Sequence, residues 1–137
     1  MSIINNNWKE FLHQKLLHNN LIDGVAMFTK TLVPLEMYGK LQNLPINQLE
    51  QFLNIFTNIK SQPENVAHGF TIDINLQEVK FVIRHYNFHS VYSVSKANQM
   101  GLIVINLPFG VIVSSHTYPV TSAVASQHVE DVCYLLR

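Results

Sequence analysis

Apolar residues recur at helical spacing in three stretches of this chain, and at strand spacing or in unbroken runs between them. Trp8, Phe11, Leu12 and Leu16 fall on one helical face and predict a first helix over Asn7–Asn19. Asn7 is placed to cap it, with Glu10 three residues on as in a capping box, and Asn19-Asn20 ends it. Leu49, Phe52, Leu53 and Phe56 give the i, i+3, i+4, i+7 stripe of a one-sided buried helix over Gln48–Ile59, with Asn47 as the expected cap and Glu50 three residues later. Ala125, Val129, Val132 and Leu136 share a face of a last helix expected to start near Pro119, since proline suits a first helical turn.

Between these helices the period changes. Val25–Leu32 follows an Asp23-Gly24 turn and reads as a strand, and Leu35–Tyr38, after Pro34, reads as a short edge strand. Phe70–Ile74, Val79–His85, His89–Val94, Leu102–Leu107 and Val111–Ser115 are five further strand candidates. Short links join them, the clearest at Ile74-Asn75-Leu76-Gln77 and Ala97–Met100, and consecutive strands with short links form an antiparallel meander. The expected fold class is therefore α/β in the α+β sense. A central antiparallel sheet of six or seven strands carries the N- and C-terminal helices on one face and the middle helix on the other.

Composition narrows the function. A length of 137 residues predicts one domain, and 47% apolar content is enough to fill its core. Nine basic residues balance nine acidic ones, so the basic field that a nucleic-acid binder needs is missing. A neutral, sparsely charged chain suits a monomer that meets a protein partner through a specific patch. The single Cys133 has no partner for an internal disulfide, and the start MSIINNNWKE lacks the basic and apolar regions of a signal peptide, which together predict a reducing, cytoplasmic home.

Candidate chemistry is thin. The seven histidines are scattered and expected at the surface; His85 and His89 lie four apart, but Asn87 is placed to turn the chain between them. A zinc site needs three or four convergent ligands, so no metal is expected. Ser114-Ser115-His116 places hydroxyls beside an imidazole in sequence, but neighbours in a strand point to opposite faces. No nucleophile elbow, phosphate loop or dinucleotide fingerprint occurs. A small histidine-dependent hydrolase is thus the weakest reading: the chain is expected to be no enzyme and to need no cofactor.

The order and spacing of several short segments resemble the profilin family over about Trp8 to Leu136. Trp8-Lys9-Glu10-Phe11 is similar to the Trp-x-x-Tyr of the family's first helix, with Phe for Tyr. Val82-Ile83-Arg84, after Gly69-Phe70, resembles its central strand. Gly101-Leu102-Ile103-Val104 turning into Val111-Ile112-Val113 resembles its last hairpin, and Pro119-Val120-Thr121, Val129-Glu130 and Tyr134-Leu135-Leu136 its closing helix.

The resemblance implies a divergent profilin: an actin-monomer-binding, cytoplasmic and cytoskeletal protein that regulates actin polymerisation and presents actin to proline-rich partners. It implies an actin-binding surface at Arg84, Lys96, His116, Gln127, His128 and Glu130. It also implies a poly-proline groove in which Trp8 and Phe11 face Tyr134 and Leu135. The family's second groove tryptophan would fall near Val33–Leu35, where no aromatic stands. Phosphoinositide binding is expected to be weak or absent, because the stretch from Val94 to Thr117 offers only Lys96 and His116 as basic groups. The alternative is a profilin-fold interaction module that has lost actin or poly-proline binding and serves as a scaffold.

Overall fold

The computed structural model describes residues 2–137, with side chains from residue 8 onward. Its elements are α1 (Ser2–Lys15), β1 (Gly24–Thr29), β2 (Pro34–Gly39), α2 (Ile46–Ser61), a 3-10 turn at Pro63–Asn65, β3 (Gly69–Ile74), β4 (Gln77–Tyr86), β5 (Ser90–Ser95), β6 (Met100–Asn106), β7 (Gly110–Thr117) and α3 (Ser122–Tyr134). The strands form one seven-stranded antiparallel sheet in the order β2-β1-β7-β6-β5-β4-β3. All connections but one are between neighbours; β7 closes the order by inserting between β6 and β1.

Strict alternation along the central strands feeds two cores. Ala26, Phe28, Leu102, Val104, Val111 and Val113 point to the face covered by α2, where Leu49, Phe52, Ile55, Phe56 and Ile59 are buried. Val25, Met27, Ile103, Ile105 and Ile112 point to the other face, under Leu12 and Leu16 of α1 and Ala125, Val129 and Val132 of α3. Burial on both sides explains the unbroken apolar runs: neither face of β6 or β7 over these residues meets water, so neither turns polar. The layer assignment matches the expected one.

Several boundaries differ from the sequence reading, each for a local reason. Helix α1 runs from Ser2, so Asn7 lies within it; the Asn7 side chain is outside the described residues. The helix ends at Lys15 rather than Asn19: the amides of Leu16 and Leu17 both reach the Leu12 carbonyl, and Asn20 sits at φ 60°. Strand β1 ends at Thr29, not Leu32, because the Thr29 hydroxyl accepts from the Thr31 and Val33 amides and Leu32 turns at φ 67°. Helix α2 starts after Pro45, which takes the N-cap position expected of Asn47. Helix α3 starts at Ser122, with the Thr121 hydroxyl accepting from the Val124 amide; Pro119 lies before it, after a cis bond.

The turns behave as their residues dictate. Asn75 and Leu76 occupy φ 53° and 65° in the two-residue link between β3 and β4. The Asn87 carboxamide accepts from the amides of His89 and Ser90 and separates β4 from β5. At the edge of the sheet, α2 caps β3 directly. Gln51 donates to the Thr71 carbonyl at 3.0 Å, and Gln48 accepts from the Asp73 amide at 2.8 Å. These are the groups that β3 turns away from β4, so the helix occupies an edge that would otherwise recruit another strand.

Candidate functional site

Two surfaces gather expected site residues, one beside the start of α3 and one around Trp8. The first begins with a bulge. Val82 pairs with Val94 and Ile83 with Ser93, but His85 pairs with Tyr92, so Arg84 is the extra residue in β4. A bulge re-aims the side chain it carries. Strand β4 extends past the expected Val79–His85 at both ends, to Gln77 and Tyr86, and Arg84 stands exposed within it.

Arg84 lines a small cavity of about 90 Å³ with Tyr92, His116, Ser122 and Ser126. His116 also lines a wider hollow of about 290 Å³ with Lys96, Met100, Tyr118 and Thr121. Three of the expected residues, Arg84, Lys96 and His116, are thereby brought around the first turn of α3. Their characters differ. Arg84 and Lys96 are exposed cations. His116 is buried, at 4% exposure, which corrects the expectation that all seven histidines lie on the surface. Its ring rests on Gly101, its cross-strand partner, where any Cβ would collide with the imidazole. Burial, opposed by a backbone hydrogen bond at Val120 and the Asp23 charge, holds the imidazole below its ordinary value, and its Nδ1 has no partner among the described residues.

The α3 residues divide. Gln127 and His128 line a third hollow of about 400 Å³ with Ala123, Val124 and Asp131. Gln127 donates to Asp131 at 2.9 Å, and His128 donates through Nε2 to the Leu16 carbonyl at 2.9 Å. Glu130 instead turns toward the sheet. Its carboxylate accepts from the hydroxyls of Ser90 and Tyr92 and lies 3.8 Å from Arg137. Burial and this hydrogen bond raise the Tyr92 phenol above its ordinary value. Glu130 is thus engaged in holding α3 to β5, which sets it apart from Gln127 and His128.

At the other surface, Trp8 meets Phe11 edge to face, with centroids 6.0 Å apart, and stacks on Phe109 at 5.4 Å with 22° between the rings. Leu35, at the position where the family tryptophan was sought, packs into the same apolar cluster as Trp8 and Phe11. Tyr134 and Leu135 are 77% and 62% exposed and neither belongs to that cluster, whereas Leu136 does. Trp8 finds its aromatic partner in Phe109. Phe109 is not among the groove residues the sequence led to expect; the available signal was a large aromatic at the tip of Leu107-Pro108-Phe109-Gly110.

By sequence, the chain matches no protein-family model and no curated protein. Solved structures tell more. Acanthamoeba castellanii profilin IA superposes with a TM-score of 0.74 at 18% identity, covering 94% of this chain and 96% of that one. The chain has the profilin fold. Schizosaccharomyces pombe profilin gives a TM-score of 0.70 at 18% identity, over 94% of this chain and 95% of that one. LokiProfilin2, solved in complex with rabbit actin, gives 0.65 at 12% identity, over 95% of each chain. The profilin fold thus persists in this chain with few of the same residues, and among the described residues no helix is long and apolar enough to cross a membrane.

Proposed function

We propose that this protein is a divergent, non-enzymatic, cytoplasmic profilin that binds monomeric actin and so regulates filament assembly. The observation that carries the reading is the whole-chain likeness to profilins, including one captured with rabbit actin. The surface beside α3 supports it. Arg84 and Lys96 offer two exposed cations beside the α3 start, and Gln127 and His128 extend the polar rim along the helix. A guanidinium at a bulge presents a fork of donors suited to a carboxylate across a protein interface. His116 contributes as the packed floor of that surface, and Glu130 as the clasp that fixes α3 beside it.

Proline-rich segments are the second partner in this reading. Trp8 and Phe11 form an aromatic pair of the kind that docks preformed polyproline II helices at small entropic cost. Tyr134 and Leu135 remain exposed beyond it as apolar contacts.

The test is co-sedimentation and fluorescence anisotropy with monomeric actin, together with a pyrene-actin assembly assay. Saturable binding and slowed spontaneous assembly are expected. No binding by a folded sample would transfer the assignment to a profilin-fold scaffold module.

A further inference from the structure

The Trp8 indole is in an unusual state for a binding platform. Its Nε1 is buried and has no hydrogen-bond partner among the described residues, and its ring carries the stacked ring of Phe109. An unpartnered buried N–H is disfavoured, and native proteins keep few of them. We propose that Phe109 is a side-chain lid over Trp8: it occupies an indole face on which an extended proline-rich segment stacks, and such a segment binds by displacing it. This rests on the proline-rich partner proposed above and adds how access to that site is controlled.

The hairpin is built so that only the side chain has to move. The Leu107 amide donates to the Gly110 carbonyl at 2.8 Å, and the Gly110 amide returns to the Leu107 carbonyl at 3.3 Å, closing a two-residue turn of Pro108 and Phe109. Pro108 fixes its own φ. Gly110 lies so close to Phe28 of β1 that a Cβ would collide with the Phe28 carbonyl oxygen. The backbone on both sides of Phe109 is therefore held, while the residue is 37% exposed and sits at the tip. Rotation about its own side-chain bonds releases the indole without breaking a strand pair.

The ligand chemistry follows from what the lid leaves unsatisfied. Trp8 offers one donor and an aromatic face. A proline-rich segment offers carbonyl acceptors, rings that stack and almost no backbone N–H groups that would need partners of their own. Binding gives Nε1 an acceptor that none of the described residues supplies. That acceptor is the differential interaction that drives the exchange of one ring for another.

Trp8 is the only tryptophan, so its emission reports this site alone. The experiment compares the unchanged protein with Phe109→Ala and Phe109→Leu, by acrylamide quenching of the free protein and by titration with decaproline. Phe109→Ala is expected to increase quenching and to tighten decaproline binding by at least about threefold, because the competent state no longer competes with a covered one. Phe109→Leu, which keeps apolar cover but cannot stack as a ring, is expected to fall between. Weaker binding by Phe109→Ala would overturn the lid and make Phe109 part of the platform. Unchanged quenching in both variants would also overturn it. Increased quenching with no decaproline binding by any of the three proteins would overturn the proline-rich reading itself, and with it the ligand assigned here.

Discussion

The carboxylate of Glu130 on α3 meets the hydroxyl of Ser90, at the start of β5, at 2.7 Å. The same carboxylate takes the Tyr92 hydroxyl, so one side chain ties the closing helix to a central strand. Glu130→Ala leaves the Ser90 hydroxyl, which is 1% exposed, without its acceptor. A loss of about 1–3 kcal/mol is expected from stranding such groups, read as a lower urea midpoint. In Glu130→Gln the Tyr92 phenol should also titrate closer to its ordinary value, since burial would then act without the carboxylate. A stability unchanged by Glu130→Ala would mean that the clasp is idle.

Arg84→Glu probes the proposed actin surface. Reversing an exposed charge at the bulge should weaken actin binding more than about tenfold, through like-charge repulsion where attraction stood. Surface charge changes usually cost under about 0.5 kcal/mol, so the melting curve should hardly move. Anisotropy binding to monomeric actin and a thermal melt decide this together. Equal affinity with an equal melt would remove Arg84 from the interface.

Acidification should destabilise the fold through His116. Its imidazole lies below its ordinary value of 6.5 in the folded state, with burial the largest cause, so the unfolded chain takes up the proton first. Stability is then fully present above that value and falls as pH drops through 6.5 toward the folded value. Asp23 acts in a lower window. Hydrogen bonds from Ser115 and Thr117 and the Lys40 charge outweigh burial and lower its carboxyl, so its contribution is lost only as pH falls below 3.8. Urea midpoints at pH 7.5 and 5.5 should differ for the unchanged protein and converge for His116→Gln. A His116→Gln protein with the same pH slope would assign the effect elsewhere.

Removing the edge caps tests a different risk. Gln48→Ala combined with Gln51→Ala frees the Asp73 amide and the Thr71 carbonyl on β3. Each lost hydrogen bond should cost about 0.5–1.5 kcal/mol, and the uncovered edge should raise strand-mediated association on mild heating. Dynamic light scattering along a temperature ramp would register it; identical scattering for both proteins would mean that the edge is protected otherwise.

Much of the layer plan was legible because alternation along β1, β6 and β7 assigns residues to two apolar faces, and three helical stripes supply the covers. What the pattern concealed was non-local. Nothing in the hydropathy of Lys80–Tyr86 marks Arg84 as an unpaired residue, since the bulge exists only relative to β5. His116 was expected at the surface with the other histidines, yet it is buried against Gly101, fifteen positions earlier and across a hairpin. Phe109 and Trp8 are separated by nearly the whole chain, and only the insertion of β7 beside β1 brings that hairpin tip to α1.

The pairing of Gly101 with His116 also bears on how β6 and β7 find their alignment. Over Leu102–Ile105 and Val111–Val113, which are apolar on both faces, polarity alone would not penalise a one-residue slip. Shape does so instead. Only a residue without a side chain fits under the imidazole, and a slip in either direction would set the bulk of Met100 or Leu102 against it. The pair works as a key cut into an otherwise uniform lock, so Gly101→Ala should trouble the choice among near-equivalent pairings as much as the depth of the final one.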